Sequence, residues 1–267
     1  MLVDKGMFGS RERAQAAILE GRVYVDGRPA LKAGQLVAAD SVLELKGPDF
    51  PYVGRGGLKL QRALEAFRLC PSGMVVVDVG ASTGGFTDCL LQNGAKKVYA
   101  VDVGYGLIAP KLRSDSRVVV LERTNARYLN REHVPEGADL ATVDVSFISA
   151  LKILPALHNV LSPGAEILVL VKPQFEAGRH LVRRGVVRDP QVHRQVLQDF
   201  VEGAADAGFR VVDVTYSWPP GPSGNLEFWV RMIREGEGRE AGVGDPSVER
   251  RRIEERIEQA VAAAHEA

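Results

Sequence analysis

The chain has 267 residues, 45% of them hydrophobic, with 34 Lys plus Arg against 34 Asp plus Glu. That is long for one domain, short for two large ones, and apolar enough for a sizeable core; a formal charge of zero excludes any argument for nucleic acid from bulk electrostatics, leaving only local charge to be read. The two cysteines, Cys70 and Cys89, lack metal-ligand spacing and suit a reducing compartment, no apolar run approaches the roughly 20 residues of a membrane span, and there is no signal-peptide core at the start, so a soluble cytoplasmic protein without a metal is expected.

Residues 1–46 read as a small α+β module. Ser10 caps a helix from Arg11 to Glu20 whose Ala14, Ala17 and Ile18 follow helical spacing, and Gly21 ends it. Val23 to Val25, an Asp26-Gly27 turn and Ser41 to Leu45 then read as short strands. Residues 1–62 carry ten Lys and Arg against seven acids. Arg11 and Arg13 on the helix, with Arg22 and Arg28 beside it, fit a track for a phosphate backbone, although the same arithmetic describes an ordinary solvated face equally well.

Gly47-Pro48-Asp49-Phe50-Pro51 has linker composition, and residues 47–54 divide the chain. A helix from Leu58 to Arg68 leads into strand Val75 to Val79. Strands at Val98–Val101, Val118–Leu121, Leu140–Val143 and Ile167–Val171 follow, with helical segments between them. Such alternation predicts an α/β fold, a doubly wound, mostly parallel sheet covered on both faces. Asp189-Pro190 starts a helix to about Ala207, and Phe209–Tyr216 with Glu227–Ile233 closes the sheet as an antiparallel pair, giving seven strands over 55–234. Residues 235–247 are rich in Gly and Glu and read as mobile. Ile253, Ile257 and Val261 then mark a short amphipathic helix that docks on the body or on a partner.

Between the first two strands of the sheet runs Asp78-Val79-Gly80-Ala81-Ser82-Thr83-Gly84-Gly85-Phe86, and Asp102 ends the second strand 24 residues after Asp78. A glycine-rich turn after the first strand and an acid at the end of the second build a nucleoside site in a doubly wound sheet. The order is not that of a dinucleotide fingerprint, and the loop has no phosphate-loop lysine. Asp78 would repel a pyrophosphate, so the site suits a neutral or cationic nucleoside such as S-adenosylmethionine.

Four ionisable residues fall where this topology expects a crevice: Lys59 in Arg55-Gly56-Gly57-Leu58-Lys59-Leu60, Asp144 in Asp144-Val145-Ser146-Phe147, Lys172 after Val169-Leu170-Val171, and Glu227 in Gly224-Asn225-Leu226-Glu227-Phe228. Asp144 and Lys172, at strand ends, are expected to face the same crevice as Asp78. Taken singly, a strand-end Asp is as often a helix cap, and a lone Lys is usually solvated. Together the four follow the K-D-K-E order of ribose 2′-O-methyltransferases. On these motifs, with Asp78 to Asp88 and Val171-Lys172-Pro173-Gln174-Phe175-Glu176, the C-terminal two-thirds resembles an FtsJ/RrmJ-type, Rossmann-like methyltransferase domain. Residues 1–46 resemble an S4 RNA-binding domain. The combination is similar to the TlyA (hemolysin A-like) family.

The resemblance implies methyl transfer from S-adenosyl-L-methionine, giving S-adenosylhomocysteine, to cytidine 2′-hydroxyls of ribosomal RNA. Lys59, Asp144, Lys172 and Glu227 then correspond to the catalytic tetrad, with Lys172 guiding or accepting the hydroxyl proton. Gly80, Ser82 and Gly84, with Ala81, Gly85 and Phe86 of the same loop, are expected at the cofactor, Asp78 near its amino group, Asp102 on the ribose diol and Phe147 beside it. Asn125, expected to end the third strand, meets the adenine edge or simply caps its loop. Arg183 and Arg184, in a basic loop with Arg179, His180 and Arg188, read as an RNA clamp or an exposed polar loop, and Arg55 joins the same surface. The chain begins at Met1-Leu2-Val3-Asp4, whereas S4 domains carry a basic residue and most of a first helix before this point, so either a start placed too late or a trimmed module is expected; the large subunit is the preferred target. The competing readings are a ribosome assembly factor that holds the cofactor without turnover, and a pore-forming hemolysin, which no spanning helix or lipid-facing strand pattern supports.

Overall fold

A computed structural model describes residues 1–19, 21–30, 32–46, 51–221, 224–236 and 246–267. Helix α1 (Arg11–Leu19) precedes β1 (Val23–Val25), β2 (Arg28–Pro29) and β3 (Leu43–Leu45). Asp26 and Gly27 both take positive φ, 50° and 77°, as a two-residue hairpin turn requires, and join β1 to β2. The result is a three-stranded antiparallel sheet, β2-β1-β3, over a small core of Ala17, Val23 and Ala30. Residues 47–50 of the expected linker lie outside the described residues.

The larger part begins with α2 (Gly56–Phe67), β4 (Val75–Val79), α3 (Gly85–Gln92), β5 (Lys97–Val101), α4 (Pro110–Arg113) and β6 (Val118–Leu121). It continues through β7 (Ala138–Val143), α5 (Leu154–Val160), β8 (Leu161–Val171), α6 (Pro173–Glu176), α7 (Pro190–Asp206), β9 (Phe209–Tyr216) and β10 (Phe228–Arg234), and α8 (Pro246–Glu266) closes the chain. The seven strands order as β6-β5-β4-β7-β8-β10-β9. The first five run parallel, and β10 is antiparallel to both its neighbours. This is the expected doubly wound sheet. Its strands are buried on both faces, which is why they read as unbroken Val, Leu and Ile rather than alternating. One face packs Leu60, Phe67, Phe86, Leu90 and Trp229 under α2 and α3; the other packs Leu154, Leu157, Leu197, Phe200 and Ile257 under α5, α7 and α8.

Three expectations need correction. Strand β8 starts at Leu161, not Ile167, because Leu161 still pairs with Ala138 across a register irregularity in spite of Pro163-Gly164. Strand β6 stops at Leu121, so Asn125 lies beyond it and caps a 3₁₀ turn, its side chain accepting from the Arg127 amide. The C-terminal helix is not short: α8 runs for 21 residues. It docks on the body, with Ile253, Ile257 and Val261 buried. Residues 237–245 of the expected mobile segment lie outside the described residues.

Chain direction reverses at the centre of the sheet: connections from β4 run outward to β5 and β6, and β7 returns to the other side of β4. Loops leaving β4 and β7 therefore part, and a crevice opens at their carboxyl ends.

Candidate functional site

The crevice is a cleft of about 540 Å³, within the usual range for small-molecule sites, bounded by Gly80, Ser82, Asp102, Asn125, Asp144 and Phe147. Its floor depends on one glycine. Gly80 has φ +83°, and a Cβ there would lie 2.3 Å from the Asp144 carbonyl oxygen. Only a bare backbone lets the β4 loop lie this close to the end of β7. Gly80 and Ala81 then donate their amides to the Val101 carbonyl at 2.9 and 3.1 Å, which ties the loop to β5.

Asp102 joins two loops. One carboxylate oxygen accepts from the Ser82 amide at 2.8 Å, the other from the Gly104 amide at 2.7 Å. Each oxygen keeps a lone pair for a further donor, as a ribose diol would supply. Asn125 also borders the cleft, and its side-chain oxygen is engaged by the amide and guanidinium of Arg127, the loop cap that was one of its two alternatives.

Asp78, Ala81, Gly84, Gly85 and Phe86 of the same motif are not among the residues that border the cleft. Asp78 is fully buried and does not face the crevice as expected: Thr87 and Thr142 donate to its two oxygens at 2.7 and 3.0 Å. Burial pushes its pKa up to about 7, against the lowering effect of those hydroxyls. Ala81 is buried. A Cβ on Gly84 would strike Leu112 at 2.3 Å, and one on Gly85 would sit 3.1 Å from the Gly57 amide nitrogen. Phe86 stacks against Trp229, ring centroids 5.6 Å apart. Gly84 thus packs against α4, whereas Gly85 and Phe86 seat the start of α2, and α2 carries Lys59.

The four charged residues come together as two ion pairs at the ends of adjacent elements. Lys59 Nζ meets Glu227 Oε2 at 2.6 Å with both side chains almost wholly buried. Lys172 pairs with Asp144 and donates to Ser146 Oγ at 3.0 Å. Strands β8 and β10 put Val171 opposite Phe228, so Lys172 and Glu227 occupy neighbouring positions at one sheet end. Burial lowers the Lys172 pKa, but Asp144 and then Glu227 outweigh it, and the result stands above the ordinary lysine value. The group is an ammonium at neutral pH.

Phe147 is 91% exposed, with φ +66°. A left-handed conformation in a bulky residue is strained. Its ring lies 5.1 Å from that of Phe175, which follows Lys172 by three residues, so an aromatic pair stands beside the charged groups.

The basic residues divide. Arg183 and Arg184 are exposed on a tight turn, Arg183 exchanging both backbone hydrogen bonds with Val186 while Arg184 and Gly185 take φ 52° and 79°. Asn225 holds that turn by donating to the Gly185 carbonyl at 3.0 Å, two residues before Glu227. Arg55 is half-buried at the start of α2. Arg11 is exposed and Arg22 half-buried. Arg13 is turned toward the larger domain, its Nε donating to the Gly106 carbonyl at 3.2 Å. Three residues of the site were not expected: Ser146, Asn225 and Gln15 of α1, which borders the cleft. The first two lie inside motifs already singled out; Gln15 carries no local signal.

Comparison with known proteins bears on the fold and the family. Residues 52–234 match the model of the FtsJ-like methyltransferases, and residues 1–43 match the S4 domain. The 16S/23S rRNA (cytidine-2′-O)-methyltransferase TlyA of Mycobacterium tuberculosis (strain ATCC 25618 / H37Rv) is 46% identical over 86% of this chain and 87% of that protein. Hemolysin A of Brachyspira hyodysenteriae is 40% identical over 86% and 96%. A solved structure of a hemolysin-named protein from Streptococcus thermophilus superposes with a TM-score of 0.75 at 41% identity, covering 99% of this chain and 94% of that one. With its S4 domain, its glycine loop and its paired charges, the chain belongs to the FtsJ-like methyltransferase family, in the branch of the TlyA and hemolysin A proteins.

Proposed function

We propose that the protein transfers a methyl group from S-adenosylmethionine to the 2′-hydroxyl of a cytidine in ribosomal RNA, with the large subunit as its target. The observation that carries this reading is the pairing of Lys172 with Asp144 on the rim of a nucleoside-sized cleft that also holds Asp102. The donor fits that cleft: the Asp102 carboxylate suits a ribose diol, and the Gly80 loop leaves room for a ligand close to the backbone. When bound, S-adenosylmethionine supplies an electrophilic methyl on a sulfonium, whose departing sulfur keeps the bonding electrons.

A free hydroxyl is a poor nucleophile near neutral pH, so the protein must position it and take its proton. Lys172, held as a cation by its carboxylate neighbours, is suited to donate to the 2′-oxygen and orient it rather than to act as the base. Asp144, in contact with the ammonium, is suited to receive the proton. Glu227 and Lys59 balance one another and hold the charge beside Lys172. Arg183 and Arg184, on the turn fastened by Asn225, fit phosphate contacts that set the RNA in register.

The test is incubation of the protein with labelled S-adenosylmethionine and 30S, 50S or 70S particles, followed by mapping of the modified ribose. Lys172→Ala and Asp144→Ala are each expected to slow transfer by about 10²- to 10⁴-fold while leaving cofactor affinity within a few-fold. Full methylation by either variant would sink the assignment. Cofactor binding without any methylation on any particle would favour an assembly factor. No helix among the described residues is long and apolar enough to cross a membrane, and nothing observed supports the pore-forming reading.

A further inference from the structure

The cleft is bordered by one residue from outside the methyltransferase domain. Gln15, on α1 of the N-terminal module, shares the cleft with Asp102, Gly104 and Asn125. Arg13, two residues earlier, fixes the helix there by donating to the Gly106 carbonyl. The loop it grips is itself braced: the Gly106 amide donates to Glu122 Oε1 at 2.8 Å, and that oxygen also pairs with Arg113. On its other side α1 is anchored by Ala14 and Ala17, both buried in the module's core. A helix held on two sides keeps Gln15 over the end of the cleft marked by Asp102 and Asn125, on the side of the β5 and β6 loops.

The chemistry of that position is specific. A carboxamide presents an acceptor and two donors together, and Gln15 makes no hydrogen bond among the described residues. The edge of adenine offers a ring-nitrogen acceptor beside an amino donor, which a carboxamide can match with two hydrogen bonds. Asn125, the other amide here, has its oxygen committed to Arg127 and keeps its amino group as donor. Gln15 is the amide with both functions free.

We propose that Gln15 is a specificity-determining residue of the cofactor site, supplied across the domain boundary to recognise the adenine edge, with Arg13 as the latch that seats it. The proposal rests on the reading of the cleft as an S-adenosylmethionine site. It makes the N-terminal module part of the cofactor site, so docking of that module and occupancy of the cleft favour each other reciprocally.

Isothermal titration of the full chain with S-adenosylhomocysteine and with S-inosylhomocysteine, whose base carries an oxygen in place of the amino group, tests it without any turnover. The wild-type chain is expected to prefer the adenosyl compound by about tenfold or more, the value of one good two-point amide contact. Gln15→Ala is expected to weaken S-adenosylhomocysteine by about that factor and to abolish the preference, with an unchanged melting temperature because the side chain is exposed. Arg13→Ala is expected to move the same affinity in the same direction. A Gln15→Ala protein that binds and discriminates like the wild type overturns this proposal alone; a wild-type chain that binds neither compound overturns the cofactor reading and this proposal with it.

Discussion

Asp78 is the residue whose placement differs most from its apparent purpose. It opens the glycine motif, yet it is sealed in the sheet with a hydroxyl on each oxygen. A fully buried carboxyl in low dielectric favours its neutral form, and here the pKa rises from 3.8 to about 7. The folded state therefore holds its proton more tightly than the unfolded chain does. The stabilisation is complete below about pH 3.8 and is lost as pH climbs toward 7, a swing of about 4 kcal/mol at most. Asp78→Asn removes the titration while keeping shape and hydrogen-bonding capacity. Melting temperatures at pH 5 and pH 7.5 are expected to show a smaller decline for the variant, and a decline as large as the wild type's would refute the buried-proton account.

Among the elements, the turn after β4 decides whether a cleft exists. Gly80 approaches β7 so closely that any side chain would meet the Asp144 carbonyl, and its positive φ is costly for other residues. Gly80→Ala must either move the loop or push Asp144, so it is expected to reduce cofactor affinity by at least tenfold and slow transfer further, while the sheet still forms. Calorimetric affinity and circular dichroism measured together check this; wild-type affinity in the alanine variant would show that the close approach is not needed. Gly84 packs against α4 and Gly85 against the start of α2, so one motif shapes the cleft with its first glycine and helps to position Lys59 with its last.

At the scale of the whole molecule, α8 is clasped to α7 and β9 by Ile253, Ile257 and Val261 and by polar contacts at its flanks. Arg194 pairs with Glu258 at 2.6 Å, and His193 Nδ1 lies 3.0 Å from His265 Nε2. Burial lowers the His193 pKa to about 4, helped by the neighbouring His265 and opposed by the Val187 carbonyl and Asp189. The clasp is thus intact above the ordinary histidine value near 6.5 and weakens as pH falls toward 4, by on the order of 3 kcal/mol. His193→Phe, beside Phe228, is expected to flatten the loss of melting temperature between pH 7 and pH 5. An unchanged slope would place that loss elsewhere.

Legible in the sequence alone were the strand-and-helix alternation, the seven-stranded sheet, and four charged residues, three at strand ends and Lys59 on the helix before the first strand of the sheet, because those signals are local: buried parallel strands are written as continuous aliphatic runs, and a Gly-rich turn after the first is unmistakable. The sequence could not tell which loop residues face a ligand. Gly80, Ser82 and Asp102 border the cleft, whereas Asp78, Ala81, Gly84, Gly85 and Phe86 do not, and that division depends on what β7, α2 and α4 place against each. Nor could it register Gln15, an unremarkable polar residue on a helix. Its role follows from a contact between positions more than 90 residues apart, and only packing of the folded chain brings such positions within hydrogen-bonding distance.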